Sequence, residues 1–371
     1  MFIIHANALI DGCFQPDSTL YVRDEKVETI NGPLDMTGGE CLDLNGDYLL
    51  PGFVDVHIHA FKGMDMMQGE EAVRHMSREL KKLGVAAFLP TTMSLDPQST
   101  QRALAGVGAV MERPEANGAR VLGAHMEAPF LSPEKAGAQR AEFFALPTEE
   151  NWRRYTGRYA SVVKLVTLAP ELPGAMEMIS FLVRQGIAVS AGHSVAAAEQ
   201  LHQAADAGLT RATHLFNAQA PLNHRSPGVA GAALADDRIF CEMIADGLHL
   251  HPDILRMVWR CKGKEKAVVI TDAMEAAGMP DGEYQLGGQP VNVKDGAARL
   301  AEGTLAGSTL TLASAVTNLV NYGIPPEDAA CMTSKAPAMS IGFGEYGEIR
   351  RGAPAVFARF DANWNFVGVV G

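Results

Sequence analysis

Basic charge is in short supply in this chain. Its 371 residues carry 31 Lys plus Arg against 43 Asp plus Glu, a formal net charge of −12. A general nucleic-acid binder needs the opposite balance. One phosphate on a small substrate stays possible, because a few local cations suffice to hold it. Cysteine is sparse as well: Cys13, Cys41, Cys241, Cys261 and Cys331, an odd number with no Cys-x-x-Cys pair. That usage argues against a disulfide framework and for a reducing compartment. No apolar run reaches the ~18 residues that span a bilayer. The opening MFIIHANALIDG lacks the basic and long apolar regions of a signal peptide and reads as strand and turn. The expected location is cytoplasmic, with no membrane and no nucleic acid as partner. Trp152, Trp259 and Trp364 show no stacking pattern, and no low-complexity linker interrupts the chain.

What is present is 47% hydrophobic and 20% charged sequence, ordinary for a globular protein with a sizeable core. Residues 1–50 hold short strand-like pieces (FIIHANALI, TLYVRDEKVETI, CLDLNGDYLL) broken by Gly, Asp and Asn. Residues 344–371 read alike (EIRRG, AVFARFD, FVGVVG). Both ends are expected to build one small β-domain, the alternative being two unrelated edge hairpins. Residues 51–343 change rhythm. Apolar runs (FVDVHIH, VAAFLPTT, RVLGAHME, VVKLVTLAP, IAVSAGHS, RATHLF, FCEMIAD, AVVITDA) alternate with helical stretches at 70–83, 98–113, 174–185, 195–207 and 252–260. That alternation predicts βαβ units and a parallel sheet. Eight such strands predict an α/β chain built on a (β/α)8 barrel, with a doubly wound open sheet as the competing architecture. A Gly-rich, hairpin-like insertion falls near 281–305, and a helix is expected to resume over 307–321.

The polar residues fall at the ends of these apolar runs. His57 and His59 end the first, Glu127 the third, His193 the fifth, His214 the sixth and Asp272 the eighth. In a barrel those tips converge on one mouth, where active sites are built. Imidazoles and carboxylates gathered there are the donor set of a divalent transition metal such as zinc or iron. Residues i and i+2 of a strand point to one side, so His57 and His59 can both face inward. Any one of these histidines alone is more often a satisfied core or surface residue; the set is what points to a metal. Asp272 follows four apolar residues, and a buried carboxylate needs a partner. Its functional role would be general base and then acid; its structural alternative is an N-cap before AMEAAG. A second cluster, THLFNAQAPLNHRSPG, brings Asn217, His224 and Arg225 onto the loop after the sixth strand, with His249 after the seventh. An Arg fork matches phosphate oxygens, so these form a candidate anion clamp. Lys164 reads as structural.

These motifs together (PGFVDVHIH, GAHMEAPFLSPEKAGAQ, LAPE, AGHS, THLFNA, HRSPG, IADGLH, TDAMEAAGMPDGEY and GTLAGSTLT) resemble the N-acetylglucosamine-6-phosphate deacetylases of the amidohydrolase superfamily, from about Pro51 to Thr311. The resemblance implies a metal-dependent barrel with a small β-sandwich from both chain ends. It also implies a homodimer in which the neighbouring subunit contributes to the substrate site, and an amino sugar phosphate as substrate. Position by position, Glu127, His193 and His214 match the main metal ligands. His57 and His59 match the ligands of a second ion that some members lack, with Glu127 bridging. Asp272 matches the catalytic acid/base. Arg225 and His249 match phosphate contacts, and Asn217 and Ala218 match contacts to the same group. Two departures stand out. HLEGPF is HMEAPF here, with Ala128 for glycine. KGAH is KAGAQ here, so Gln139 stands where a substrate-facing histidine is usual; Gln donates a hydrogen bond but carries no positive charge. Competing readings are the same reaction on N-acetylgalactosamine 6-phosphate or another acylated sugar, a cyclic-amide hydrolase, and a non-catalytic sugar-phosphate sensor.

Overall fold

A computed structural model describes residues 1–32 and 39–371. The apolar runs become parallel strands buried on both faces, as parallel sheets covered by helices require. Phe53–Ile58 and Val85–Pro90 are buried at every position. With Arg120–Val121 they form a three-stranded parallel sheet. A second sheet of six parallel strands runs in sequence order through Ala124–Met126, Val163–Leu168, Ala188–Ala191, Arg211–Ala212, Phe240–Ile244 and Ala267–Ile270. The sheet is curled, and backbone hydrogen bonds join the two pieces at both flanks. On one side Thr92 donates to the His125 carbonyl at 2.9 Å; on the other Asp272 donates to His57 at 2.9 Å and His59 to Ala273 at 3.0 Å.

The helices start where local chemistry places them. Asp96 caps Pro97–Glu112 by accepting from the Gln98 and Ser99 amides, with Pro97 pre-set for the first turn. Thr148 caps Glu149–Thr156 in the same way. Ala175–Arg184, Ala198–Asp206 and Pro252–Lys266 occupy the expected stretches. Pro252–Lys266 runs past its expected end at 260 with a break at Gly263, where φ is 63°. The helix expected from 307 begins only at Leu312. The residues before it are extended because Ser308 pairs with the Asp272 strand end: its amide donates to the Asp272 carbonyl at 2.7 Å and its carbonyl accepts from Met274 at 3.0 Å. The Gly-rich insertion is a three-stranded antiparallel sheet, Gly282–Leu286, Gln289–Lys294 and Ala297–Arg299.

Strands from both ends of the chain share one seven-stranded sheet. Tyr48–Pro51 pairs with Phe2–Ile10 on one side and with Phe357–Phe360 on the other. This sheet has a core of its own, including Ile3, Leu20, Val27, Leu44, Leu49 and Phe357. Among the described residues no helix is long and apolar enough to cross a membrane.

Candidate metal centre and active site

The Glu127 carboxylate sits at the middle of the site. Its Oε1 lies 3.1 Å from His193 Nε2, 3.1 Å from His214 Nε2 and 3.5 Å from His57 Nε2. Its Oε2 lies 3.4 Å from His59 Nε2. Asp272 Oδ1 closes the cluster, 3.1 Å from His59 Nε2 and 3.5 Å from His57 Nε2. All six side chains are buried. The donors fall into two groups that share Glu127: His57, His59, Glu127 and Glu127, His193, His214.

Each imidazole is turned the same way. Nδ1 of His59 donates to the Thr91 carbonyl at 3.1 Å, Nδ1 of His193 to Lys135 at 2.8 Å, and Nδ1 of His214 to Asn217 at 3.2 Å. A carbonyl oxygen only accepts, so Nδ1 carries the proton and Nε2 presents a lone pair to the centre. His57 Nδ1 faces the Glu242 carboxylate at 3.2 Å. Two pairs of Nε2 atoms then confront each other, His57 with His59 at 3.3 Å and His193 with His214 at 3.1 Å. Facing lone pairs repel, and a cation between them removes the repulsion. The donor set therefore fits divalent metal.

Electrostatics mark the same spot as one that draws positive charge, a proton on the imidazoles when no cation is there. Burial would push the Glu127 carboxyl up, but charge on His57 and hydrogen bonds from His193 and His214 hold it well below the usual range. Burial opposes ionisation of Asp272 too, and His57 and His59 override it, leaving the carboxyl lowered. Burial disfavours a charged His57, yet Glu127 and Asp272 raise it well above the ordinary imidazole value. His125, buried and next to His57, is driven well below that value. It is spent on hydrogen bonds to Thr167 and Thr91 (2.8 and 3.3 Å).

Strand ends are bent to deliver these groups. His193, His214 and Asp272 have φ of 46°, 27° and 50°, sparsely populated for residues with a side chain. Gly192 lets the His193 turn pass close to its neighbours: a Cβ there would lie 2.7 Å from Thr167 Cγ2 and 2.8 Å from Thr213 Cβ. Lys164, by contrast, donates to the Ser161 carbonyl at 3.1 Å and takes no part in the cluster.

Over the centre opens a cavity of about 490 Å³. His59, Glu127, His193, His214 and Asp272 form part of its wall; Gln139, Asn217, Ala218 and His249 line it too. Gln139 is engaged rather than free. Its amide Nε2 donates to Glu127 Oε2 and its Oε1 accepts from the Ser94 amide at 2.7 Å. His249 Nδ1 lies 2.6 Å from Asp246 Oδ2, which leaves Nε2 as the ring's other polar atom. Arg225 and His224 are exposed on the loop after the sixth strand, and neither lines this cavity. Two cations that do line it, Lys135 and Arg299, were not singled out from sequence, although Lys135 opens the KAGAQ stretch. Also missed were Asp246, Glu242 and Arg211. Glu242 and Arg211 did leave a signal, a lone acid and a lone base inside apolar strand runs.

Imidazoles and carboxylates gathered at strand tips beneath an open cavity are the donor set of a metal-dependent hydrolase. The Amidohydrolase family model matches residues 48–369, and the chain belongs to that family. Its relatives narrow the branch to amino sugar phosphate deacetylases. The N-acetylglucosamine-6-phosphate deacetylase of Lysinibacillus sphaericus is 37% identical over 338 residues, 91% of this chain and 87% of the relative. The N-acetylgalactosamine-6-phosphate deacetylase of Escherichia coli O157:H7 is 37% identical over 325 residues, 86% of this chain and 85% of the relative. The structure of a point mutant of the Mycobacterium smegmatis N-acetyl-D-glucosamine-6-phosphate deacetylase, in complex with N-acetyl-D-glucosamine-6-phosphate, superposes with a TM-score of 0.92 at 29% identity, covering 100% of this chain and 97% of that one.

Proposed function

We propose that this chain hydrolyses the acetamide of N-acetylglucosamine 6-phosphate to glucosamine 6-phosphate and acetate, in amino-sugar catabolism. The observation that carries this reading is the convergence of Glu127, His193, His214 and Asp272 on one cavity in a chain whose relatives perform that reaction. Glu127, His193 and His214 would hold one divalent ion, and His57 and His59 with Glu127 a second; zinc suits the donors best, with iron as the alternative. When bound, the metal polarises the acetyl carbonyl and lowers the pKa of water. Asp272 accepts the proton of the attacking water and returns it to the departing nitrogen, so that an amine rather than an amide anion leaves. His249, Asn217 and Ala218 hold the phosphate, whose binding orients the acetamide. Lys135 and Arg299 add local positive charge that offsets the acidic chain.

The same reading covers architecture. The curled sheet closes as a (β/α)8 barrel over residues 51–343, supported by the Asp272–His57 and Thr92–His125 hydrogen bonds. Within the expected 1–50 and 344–371, of which 33–38 lie outside the described residues, the shared sheet forms a β-sandwich domain beside it. The protein acts as a cytoplasmic homodimer, in which Arg225, exposed and outside its own chain's cavity, reaches the phosphate of the neighbouring subunit.

A galacto preference is the second reading, because the galactosamine relative is as similar as the glucosamine ones. The test is acetate release from N-acetylglucosamine 6-phosphate, its galacto epimer and both unphosphorylated sugars, on protein of measured metal content. Fastest turnover on the gluco phosphate is expected. A galacto preference installs the second reading, and no acetate from any of the four removes the deacetylase assignment.

A further inference from the structure

Four imidazoles surround the centre, and three of them are oriented by backbone carbonyls that no side-chain substitution removes. His57 is the exception. Its Nδ1 faces Glu242 Oε2 at 3.2 Å. Glu242 is fully buried mid-strand in Phe240–Ile244, and its Oε1 accepts from Arg211 Nη2 at 2.5 Å. Arg211 is itself fully buried and anchored to the Ser340 hydroxyl through Nη1. The same Glu242 Oε2 accepts from the His214 backbone amide at 3.2 Å. Every partner of this carboxylate is a donor, and one of them is a guanidinium that never loses its charge.

We propose that Glu242, fixed by Arg211, is the positioning residue that keeps the proton of His57 on Nδ1. It thereby determines whether the His57/His59/Glu127 group can take an ion. This rests on the metal-centre reading above. A carboxylate behind a ligating imidazole sets its tautomer and raises its basicity; here a buried ion pair stands where the other three ligands have a neutral carbonyl. The substitution Glu242→Gln leaves one acceptor oxygen for three donors. With that oxygen on the Arg211 charge, the amide NH2 faces His57 Nδ1 and the His214 amide loses its acceptor. His57 then accepts at Nδ1 and carries its proton on Nε2, where it cannot bind metal. The Glu127/His193/His214 group keeps its backbone-oriented rings.

Nitrogen-15 NMR of the imidazoles in the full chain, stripped of metal, reads this directly, with His57 assigned by its loss in His57→Asn. At a pH high enough to leave His57 uncharged, a protonated Nδ1 is expected in the parent and a bare Nδ1 in Glu242→Gln. Metal titration is expected to show the variant losing one ion of two, or binding it at least tenfold more weakly. Unchanged Nδ1 protonation and unchanged metal binding in the variant overturn the proposal. A bare Nδ1 in the parent overturns it without any variant, so a misfolded Glu242→Gln leaves it testable. A parent that binds no divalent metal sinks the metal-centre reading instead, and the tautomer measurement still decides the role of Glu242.

Discussion

At His193 the ring commits Nδ1 to the Lys135 carbonyl, and His59 and His214 make the same commitment to Thr91 and Asn217. The candidate ligand atoms are thus aimed at one point by the protein itself, which lowers the cost of binding an ion there. Asp272 stands apart because its carboxylate lies nearest the histidine pair of the first strand, at the edge of the cavity. Asp272→Asn removes the proposed proton carrier and keeps the shape; turnover is expected to fall by about 10²–10⁴-fold or more with metal content unchanged. Near-normal rates with full metal would take Asp272 out of the mechanism. At His249, burial alone would push the Asp246 carboxyl up, and the hydrogen bond from His249 holds it below the usual range instead. Asp246→Asn frees the ring. We expect KM for the phosphorylated sugar to rise roughly tenfold, about 1–2 kcal/mol, with kcat little changed, in steady-state assays on phosphorylated and unphosphorylated sugars. A fall in kcat alone would contradict a binding role. The six residues at strand tips were legible because a charged or imidazole side chain after an apolar run is conspicuous. Asp246, Lys135 and Arg299 were not, because their roles come from which loops fold over the cavity.

Among the elements, the helix Glu70–Lys81 shows how surface charge ties helix to loop. Glu79 on it meets Lys62 at 2.8 Å and also pairs with Lys82. Those two lysines hold the Glu79 carboxyl down to about 2. A carboxylate depressed in the folded state stabilises fully above its unfolded pKa, about 4.3. That contribution is lost as pH falls through the interval down to about 2. Because both lysines are substantially exposed, solvent screens the pair and about 1 kcal/mol is a fair size. Glu79→Gln should therefore cost about 1 kcal/mol at pH 7 and almost nothing near pH 2 in denaturant titrations. An equal cost at both pH values would show that packing, not charge, is what Glu79 supplies. The strand–helix alternation made most elements readable. The exception after Gly307 has a clear cause: the GTLAGSTLT segment looks like the start of a helix, yet Ser308 is drawn into extended pairing with Asp272, a partner far away in sequence. The exposed position of Arg225 was equally hidden, since a loop sequence does not say whether it folds inward.

For the molecule as a whole, the centre is a concentration of buried carboxylates and imidazole nitrogens that the fold tolerates best with cations in place. Chelation should therefore lower Tm. If two ions are bound at about 1,000 times their Kd, each contributes about 4 kcal/mol, and a loss on the order of 10 °C in calorimetry is expected for a chain of this size. A Tm unmoved by chelator and by added zinc would mean that the donors do not hold metal in the folded state. The shared sheet of the two chain ends was foreseeable from their matching strand-and-turn composition, while its seven-strand order, with Tyr48–Pro51 between the first and the penultimate strands, was not.

The three-stranded insertion and the turn after it bring Leu286, Arg299, Thr304 and Leu305 to the cavity wall, and none of them belongs to the candidate ligand set. Bond-breaking groups and this part of the recognition surface thus reside on separate stretches of backbone. Selection can remodel one without retuning the other, and a chain built this way can drift between related sugars while its hydrolytic machinery stays untouched.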